Sequence, residues 1–152
     1  MGTDKTPVAA LVQRGGSVRT MVLPKVTGRN LKNFLRQHVD ESARIITDDA
    51  RVYSGLHAMF DSGHDTINHS LGQYAIGDIT TNTVEGFFAI LKRGINGIYH
   101  NVSKEHLHRY LAEFQFRYSY RELEDGERTV LAIQKAQGKR LHYQEPIRKN
   151  LI

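Results

Sequence analysis

Two acids and an amide stand where phosphodiester chemistry is feasible. Asp48 follows a short apolar run, Ala43 to Thr47 (ARIIT), that reads as a buried strand. The C-terminal end of such a strand holds its backbone fixed while the side chain faces a cleft, where ligand sites of α/β sheets lie. Glu85 falls in the first turn of a helix read over Thr83 to Leu91, and 36 residues separate it from Asp48 in the chain. Hard carboxylate oxygens converging on Mg²⁺ or Mn²⁺ serve two-metal phosphoryl chemistry, with the ions about 3.5–4 Å apart. Asn82 precedes Glu85 by one helical step, shares its face, and suits a phosphate or a metal-bound water. The same residues also have a plainer reading. Asp48 and Asp49 suit the cap of a following helix, and Glu85 suits a first-turn acid favoured by the helix dipole. Spacing alone leaves both readings open.

The elements that must position these residues follow from periodicity. Val8 to Val12 and Ser17 to Leu23 read as strands joined at Gly15-Gly16, and Pro24 ends the second. Thr27 caps a helix whose apolar stripe is Leu31, Phe34, Leu35 and Val39. After the Ala43 to Thr47 strand, Tyr53 to Phe60 suggests a short helix. Gly63 to Asp78 is loop-like, with a strand near Thr66-Ile67-Asn68, and His64 and His69 fall in that loop. The second half is helical. Val84, Phe87, Phe88 and Leu91 share one face, and Gly94 and Gly97 loosen or end that helix. Ser103 opens a helix that runs to about Tyr120 with Leu107, Tyr110, Leu111, Phe114 and Tyr118 as its stripe. Asp125 caps a last helix carrying Val130, Leu131 and Ile133, and Gly138 stops it before the basic residues Lys139, Arg140, Arg148 and Lys149. Strand, strand, helix, strand and then helices make a layered α/β domain, read as one domain over 1–152. The sequence predicts a single mixed sheet that both hairpin strands and Ala43 to Thr47 join.

Composition narrows the partners. With 152 residues, 39% hydrophobic and 24% charged, the chain can bury one ordinary core. No cysteine is present, which excludes disulfides, thiolate metal sites and a cysteine nucleophile, and fits a reducing cytoplasm. The N-terminal residues carry no apolar signal segment, and no run approaches the roughly 20 apolar residues of a membrane helix. The net charge of +5 and a pI near 9.6 fit a polyanionic partner, nucleic acid above all. Lys92, Arg93, His100, Lys104, His108 and Arg109 cluster after Glu85, with Tyr99 and Tyr110 interleaved. Cations with aromatics suit phosphate contacts and base stacking. The alternative is a solvated basic face whose aromatics belong to the core. His106 and His108 point to different helix faces and do not make a zinc pair.

The residues Thr81-Asn82-Thr83-Val84-Glu85-Gly86-Phe87 and Leu91-Lys92-Arg93-Gly94-Ile95, continuing through Gly97-Ile98-Tyr99-His100 and Val102-Ser103, resemble the glutamate-bearing helix of bacterial insertion-sequence transposases of the ISXO-type group. Thr47-Asp48-Asp49 with Tyr53 is similar to that group's second-aspartate segment, and Gly126-Glu127-Arg128 and Gly138-Lys139-Arg140-Leu141 to its closing segment. The resemblance covers nearly the whole chain. It implies a ribonuclease-H-like fold with Asp48 and Glu85 as the second and third metal-binding acids of a Mg²⁺ or Mn²⁺ two-metal site. It further implies DNA cleavage and strand transfer, with DNA as partner and a homo-oligomer within a transposition complex. Two departures stand out. The family's first aspartate lies on a strand upstream of the hairpin, so the resemblance implies an N-terminally truncated domain, inactive alone. Asp4 is the only acid ahead of the hairpin. Thr80 stands where the family often has His, and Ser119 where it commonly has Asn. The competing expectation is a non-catalytic basic DNA-binding or structural remnant.

Overall fold

Between Pro7 and Leu23 alternate residues face opposite sides of a two-stranded ribbon, and both sides are apolar. The computed structural model describes residues 5–68, 71–72 and 75–139. Strands β1 (Val8–Val12) and β2 (Val18–Val22) pair antiparallel, with Val12 opposite Val18 and Val8 opposite Val22. Val8, Ala10, Val12, Val18 and Val22 pack with Phe87, Leu91, Leu107, Leu111 and Phe114. The opposite face, Ala9, Leu11, Met21 and Leu23, packs with Leu31 and Phe34 of helix α1 (Gly28–His38). The ribbon is thus the middle layer between α1 and the later helices α2 (Asn82–Gly94) and α3 (Leu107–Ser119). Thr27 caps α1 as its sequence predicts, its hydroxyl accepting from the Asn30 N–H at 3.2 Å.

The chain divides into two compact units, Met1–Ser119 and Tyr120–Ile152. The first holds all the strands: β3 (Ile45–Asp48), β4 (His64–Ile67), β5 (Ala75–Ile76) and β6 (Ile79–Thr80) follow α1. The expected single mixed sheet does not form. β3 pairs in parallel with β4 and not with the hairpin, and three two-stranded sheets result. Hydrogen-bond alternation explains the gap. The bonds from Leu23 N–H to Pro7 C=O and from Gln13 N–H to Ser17 C=O mark the odd residues of β1 as those facing β2. Val8, Ala10 and Val12 therefore turn their backbone groups to the other edge, as Ile46 does on β3, where Ile45 N–H donates to Gly63. Leu11 and Ile45 meet in one apolar cluster with Leu35, Leu56 and Phe60, yet no ladder joins their strands. The outer edge of β2 is closed differently. Its Val18 and Thr20 N–H groups donate to Ser119 Oγ (3.1 Å) and Gln115 Oε1 (3.0 Å) of α3. Ser119, in the family's Asn position, thus takes a backbone-capping role.

Other elements depart from expectation for local reasons. Tyr53 to Phe60 forms no single helix; two 3₁₀ turns, Arg51–Tyr53 and Leu56–Ala58, flank Gly55, whose φ of 77° breaks the path. His64 lies on β4 rather than in a loop, while Asp4, His69 and Arg140 lie outside the described residues. α2 ends at Gly94, as its glycine predicts, and the chain continues in a wider π turn over Ile95–Tyr99. In the second unit, helix α4 (Asp125–Ala136) is capped by Glu124 through a reciprocal box with Glu127, not by Asp125, which is the first helical residue. Its Val130 and Ile133 are exposed, so its apolar stripe is not core.

Gly94 is required by close approach. A Cβ there would overlap the Phe114 ring of α3, whereas one at exposed Gly97 would meet nothing. Gly94→Ala should cost about 1–3 kcal/mol, and Gly97→Ala should gain about 0.4–1 kcal/mol through the unfolded chain. Urea denaturation of the two variants checks this; equal midpoints would remove the argument that Gly94 sets the α2–α3 distance.

Candidate active site and nucleic-acid interface

Phe87 is fully buried, two residues past Glu85, and its ring meets Phe88 and Tyr118 edge-on. That anchor fixes the rotation of α2 and turns Asn82, Glu85, Ala89, Lys92 and Arg93 outward, where all are exposed. Glu85 and Lys92 share one stripe, two turns and about 10 Å apart along the axis. Thr81 precedes the helix and is 6% exposed. Its hydroxyl donates to Glu85 Oε1 at 2.5 Å. Asn82 N–H donates to Thr80 Oγ1 at 3.2 Å, so Thr80 helps start the helix.

Asp48 is the last residue of β3 and is exposed. Its Oδ1 accepts from Ala50 N–H at 3.2 Å, the capping contact of the plainer reading. Burial, with the Asp48 charge as second cause, raises the pKa of the Tyr53 phenol, which places Tyr53 in the field of that carboxylate. β6, which leads directly into α2, lies against β3 and β4. Arg44 holds this arrangement together. Its Nε donates to Asp65 of β4 at 2.5 Å, and its Nη1 to Asp78 of the β5–β6 turn at 2.6 Å. Arg14 of the hairpin turn also donates to the Thr80 carbonyl at 3.2 Å. The strand end carrying Asp48 and the turn feeding the Glu85 helix are therefore tied to the same pair of strands.

A short relay supports Asp48 from behind. The Thr47 hydroxyl donates to the Asp48 carbonyl at 2.6 Å, which occupies its one hydrogen. His64 Nε2, 2.8 Å from the same oxygen, must then be the donor, so neutral His64 carries its hydrogen on Nε2. Burial pushes His64 below the ordinary value of 6.5; Asp65 opposes this and His57 adds to it. Sequence placed His64 in a loop without a role, and it gave no signal for Arg44.

The basic cluster is only partly free for a ligand. Lys92, Arg93, His100, Lys104, His108 and Arg109 are exposed on the path from α2 to α3. Tyr99 is half-buried, its hydroxyl donates to Glu113, and its ring stacks edge-on with Tyr110 at 4.6 Å. The two expected stacking aromatics are engaged with each other. Among the described residues no cluster of three or more His, Cys, Asp or Glu side chains forms a metal site. No helix there is long and apolar enough to cross a membrane.

The pattern that defines the ISXO2-like transposase domain matches residues 1–119. The chain belongs to the ISXO2-like transposase family. The match ends at the boundary between the two structural units. An uncharacterized protein in transposable element ISH50 of Halobacterium salinarum is 31% identical over 115 residues, which are 75% of this chain and 39% of that protein. The chain thus spans about two-fifths of this relative, and the family likeness extends to an archaeal element. No solved structure matches.

His64 makes stability pH-dependent. Its folded pKa is depressed, so the unfolded chain takes the proton first; stability is full above about 6.5 and falls as pH drops through the folded value. Denaturant titrations between about pH 7.5 and 5.5 should show this loss, and His64→Gln should flatten it. An unchanged slope in the variant would show that other groups carry it.

Proposed function

We propose that this chain is the part of an insertion-sequence transposase that supplies two of the acids for DNA cleavage and strand transfer and binds the DNA backbone beside them. The observation that carries the reading is that the elements bearing Asp48 and Glu85 adjoin through β6. Each is exposed, one at the end of β3 and the other at the start of α2, and β6, packed on β3 and β4, connects directly into α2. Family membership adds its weight. A divalent ion, when bound, supplies Lewis-acid activation of the phosphodiester. Asp48 and Glu85 would hold it through hard carboxylate oxygens, with Asn82 on the same helix face. The described residues do not complete such a donor set, which needs a further carboxylate.

A ribonuclease-H-like arrangement is supported by the antiparallel β1–β2 pair, the parallel β3–β4 pair, and α1 packed against both through Leu31, Phe34 and Leu35. One more strand, antiparallel to β1 and parallel to β3, would satisfy the outward backbone of Val8, Ala10, Val12 and Ile46 and join the pairs into one sheet. That strand is the natural bearer of the missing acid. The incomplete donor set equally favours a second reading, a non-catalytic DNA-binding remnant. Fusing an acid-bearing strand ahead of β1 separates them. The catalytic reading expects higher stability, Mn²⁺ binding visible by electron paramagnetic resonance, and DNA cleavage in the fusion. Glu85→Gln should remove the last two and leave DNA affinity intact. A stable fusion that binds neither Mn²⁺ nor cleaves DNA leaves the remnant reading standing.

DNA binding is tested separately, through salt. Lys92, Arg93, Lys104 and Arg109 would displace counterions, so affinity for any duplex should fall steeply with ionic strength. Lys92→Ala with Arg93→Ala should reduce the log–log salt slope by about one per lost contact. Fluorescence anisotropy across a salt series reads it, and salt-independent binding would rule out the phosphate contacts.

A further inference from the structure

Ile98 is a large apolar side chain left 70% exposed amid cations. Between Gly86 and Ala112 the chain carries a single acid, Glu105, while Lys92, Arg93, His100, Lys104, His108 and Arg109 are all exposed. Ile98 belongs to the π turn Ile95–Tyr99 that extends α2, five residues after Arg93. The turn is pinned at both ends. At its start Gly94 lies against the Phe114 ring with no room for a Cβ. At its end Tyr99 is held by Glu113, Tyr110 and Phe114 of α3. His100 then takes φ 57°, the one positive φ at a non-glycine among the described residues, and Asn101 N–H bonds the Tyr99 carbonyl at 2.6 Å. A widened helical turn and a disfavoured backbone are both held in place by packing, and such strain gathers where function needs it.

We infer that Ile98 is a wedge that enters DNA between two stacked bases and opens that step while the surrounding cations hold the phosphates. This rests on the DNA-binding reading above and deepens it. The chemistry favours DNA over a protein partner. A specific protein interface needs an apolar core within some 800 Å² on each side, whereas in this basic stretch the exposed large apolar side chains are Ile98, at 70%, and eight residues earlier Ile90, at 43%. Aliphatic side chains inserted at base steps, with cations on the flanking backbone, are a general way to unstack and kink a duplex. Ile98 follows Glu85 by 13 residues along one continuous helical path. The two residues are thus about 20 Å apart along the helix axis, a length of roughly six base pairs.

The test uses the full chain and a set of short duplexes carrying 2-aminopurine at successive positions, read together with anisotropy for affinity. Binding should raise 2-aminopurine fluorescence at one or two adjacent steps and bend end-labelled duplexes by about 20° or more. Ile98→Ala should lose both signals while the salt slope set by Lys92 and Arg93 is kept, and Ile98→Phe should retain them. Binding without a fluorescence rise, or a rise that survives Ile98→Ala, overturns the wedge but leaves the DNA-binding reading intact. Absence of any DNA binding overturns both. Self-association in sedimentation that Ile98→Ala abolishes, with no base signal, would assign Ile98 to a contact between copies and likewise overturn the wedge.

Discussion

Everything functional in the first unit hangs on the seating of α2 against the β1–β2 ribbon. Phe87 and Leu91 are buried with Val18, and Leu107, Leu111 and Phe114 close the same cluster from α3. Burying side chains of this size is worth about 1.5–3 kcal/mol each, more than any surface ion pair in the molecule contributes. Helical geometry converts that burial into direction. With Phe87 inward, Glu85 must face out at the start of the helix and Lys92 and Arg93 at its end. The close pass at Gly94 then decides where the π turn begins and so where Ile98 and the α3 cations stand.

The ribbon bears this load because both of its faces are apolar. Most two-stranded ribbons are marginal alone; here α1 covers one side, α2 and α3 the other, and α3 closes an edge through Gln115 and Ser119. Among the described residues the opposite edge has no such closure. The outward backbone of β1 and that of β3 flank the same apolar cluster around Leu11 and Ile45 without bonding one another. Unpaired strand edges favour pairing with a further strand.

Electrostatics plays a secondary, positioning part. Arg44 bridges two carboxylates on separate elements, and the Thr47–His64 relay steadies the backbone of Asp48. These contacts are individually modest. Their value lies in tying β3, β4 and the β5–β6 turn, so that the strand end of Asp48 and the helix of Glu85 share one support.

The sequence by itself determined the local elements and the chemistry on offer. The apolar strand Val8–Val12, the alternating strand Ser17–Leu23, the Thr27 cap and the stripe Leu31-Phe34-Leu35-Val39 are nearest-neighbour effects, set by backbone geometry and amphipathic period, and the structure keeps them with the second strand trimmed to Val18–Val22 and Val39 just past the end of α1. The exposed positions of Asp48 at a strand end, Glu85 in a first helical turn and the cationic run from Lys92 were legible for the same reason, although spacing left the role of the two acids open. What spacing could not reach depended on contacts between residues far apart in the chain. Gly94 read as a helix stop because its need for closeness comes from Phe114, on another helix. Tyr99 read as a stacking surface because its partners Glu113 and Tyr110 belong to α3. Sheet membership of β3 turned on which edges meet across α1, a long-range pairing that no local pattern encodes. Only the tertiary structure, by deciding which edges pair and which side chains are engaged inside, left Ile98 and the cations around it facing solvent.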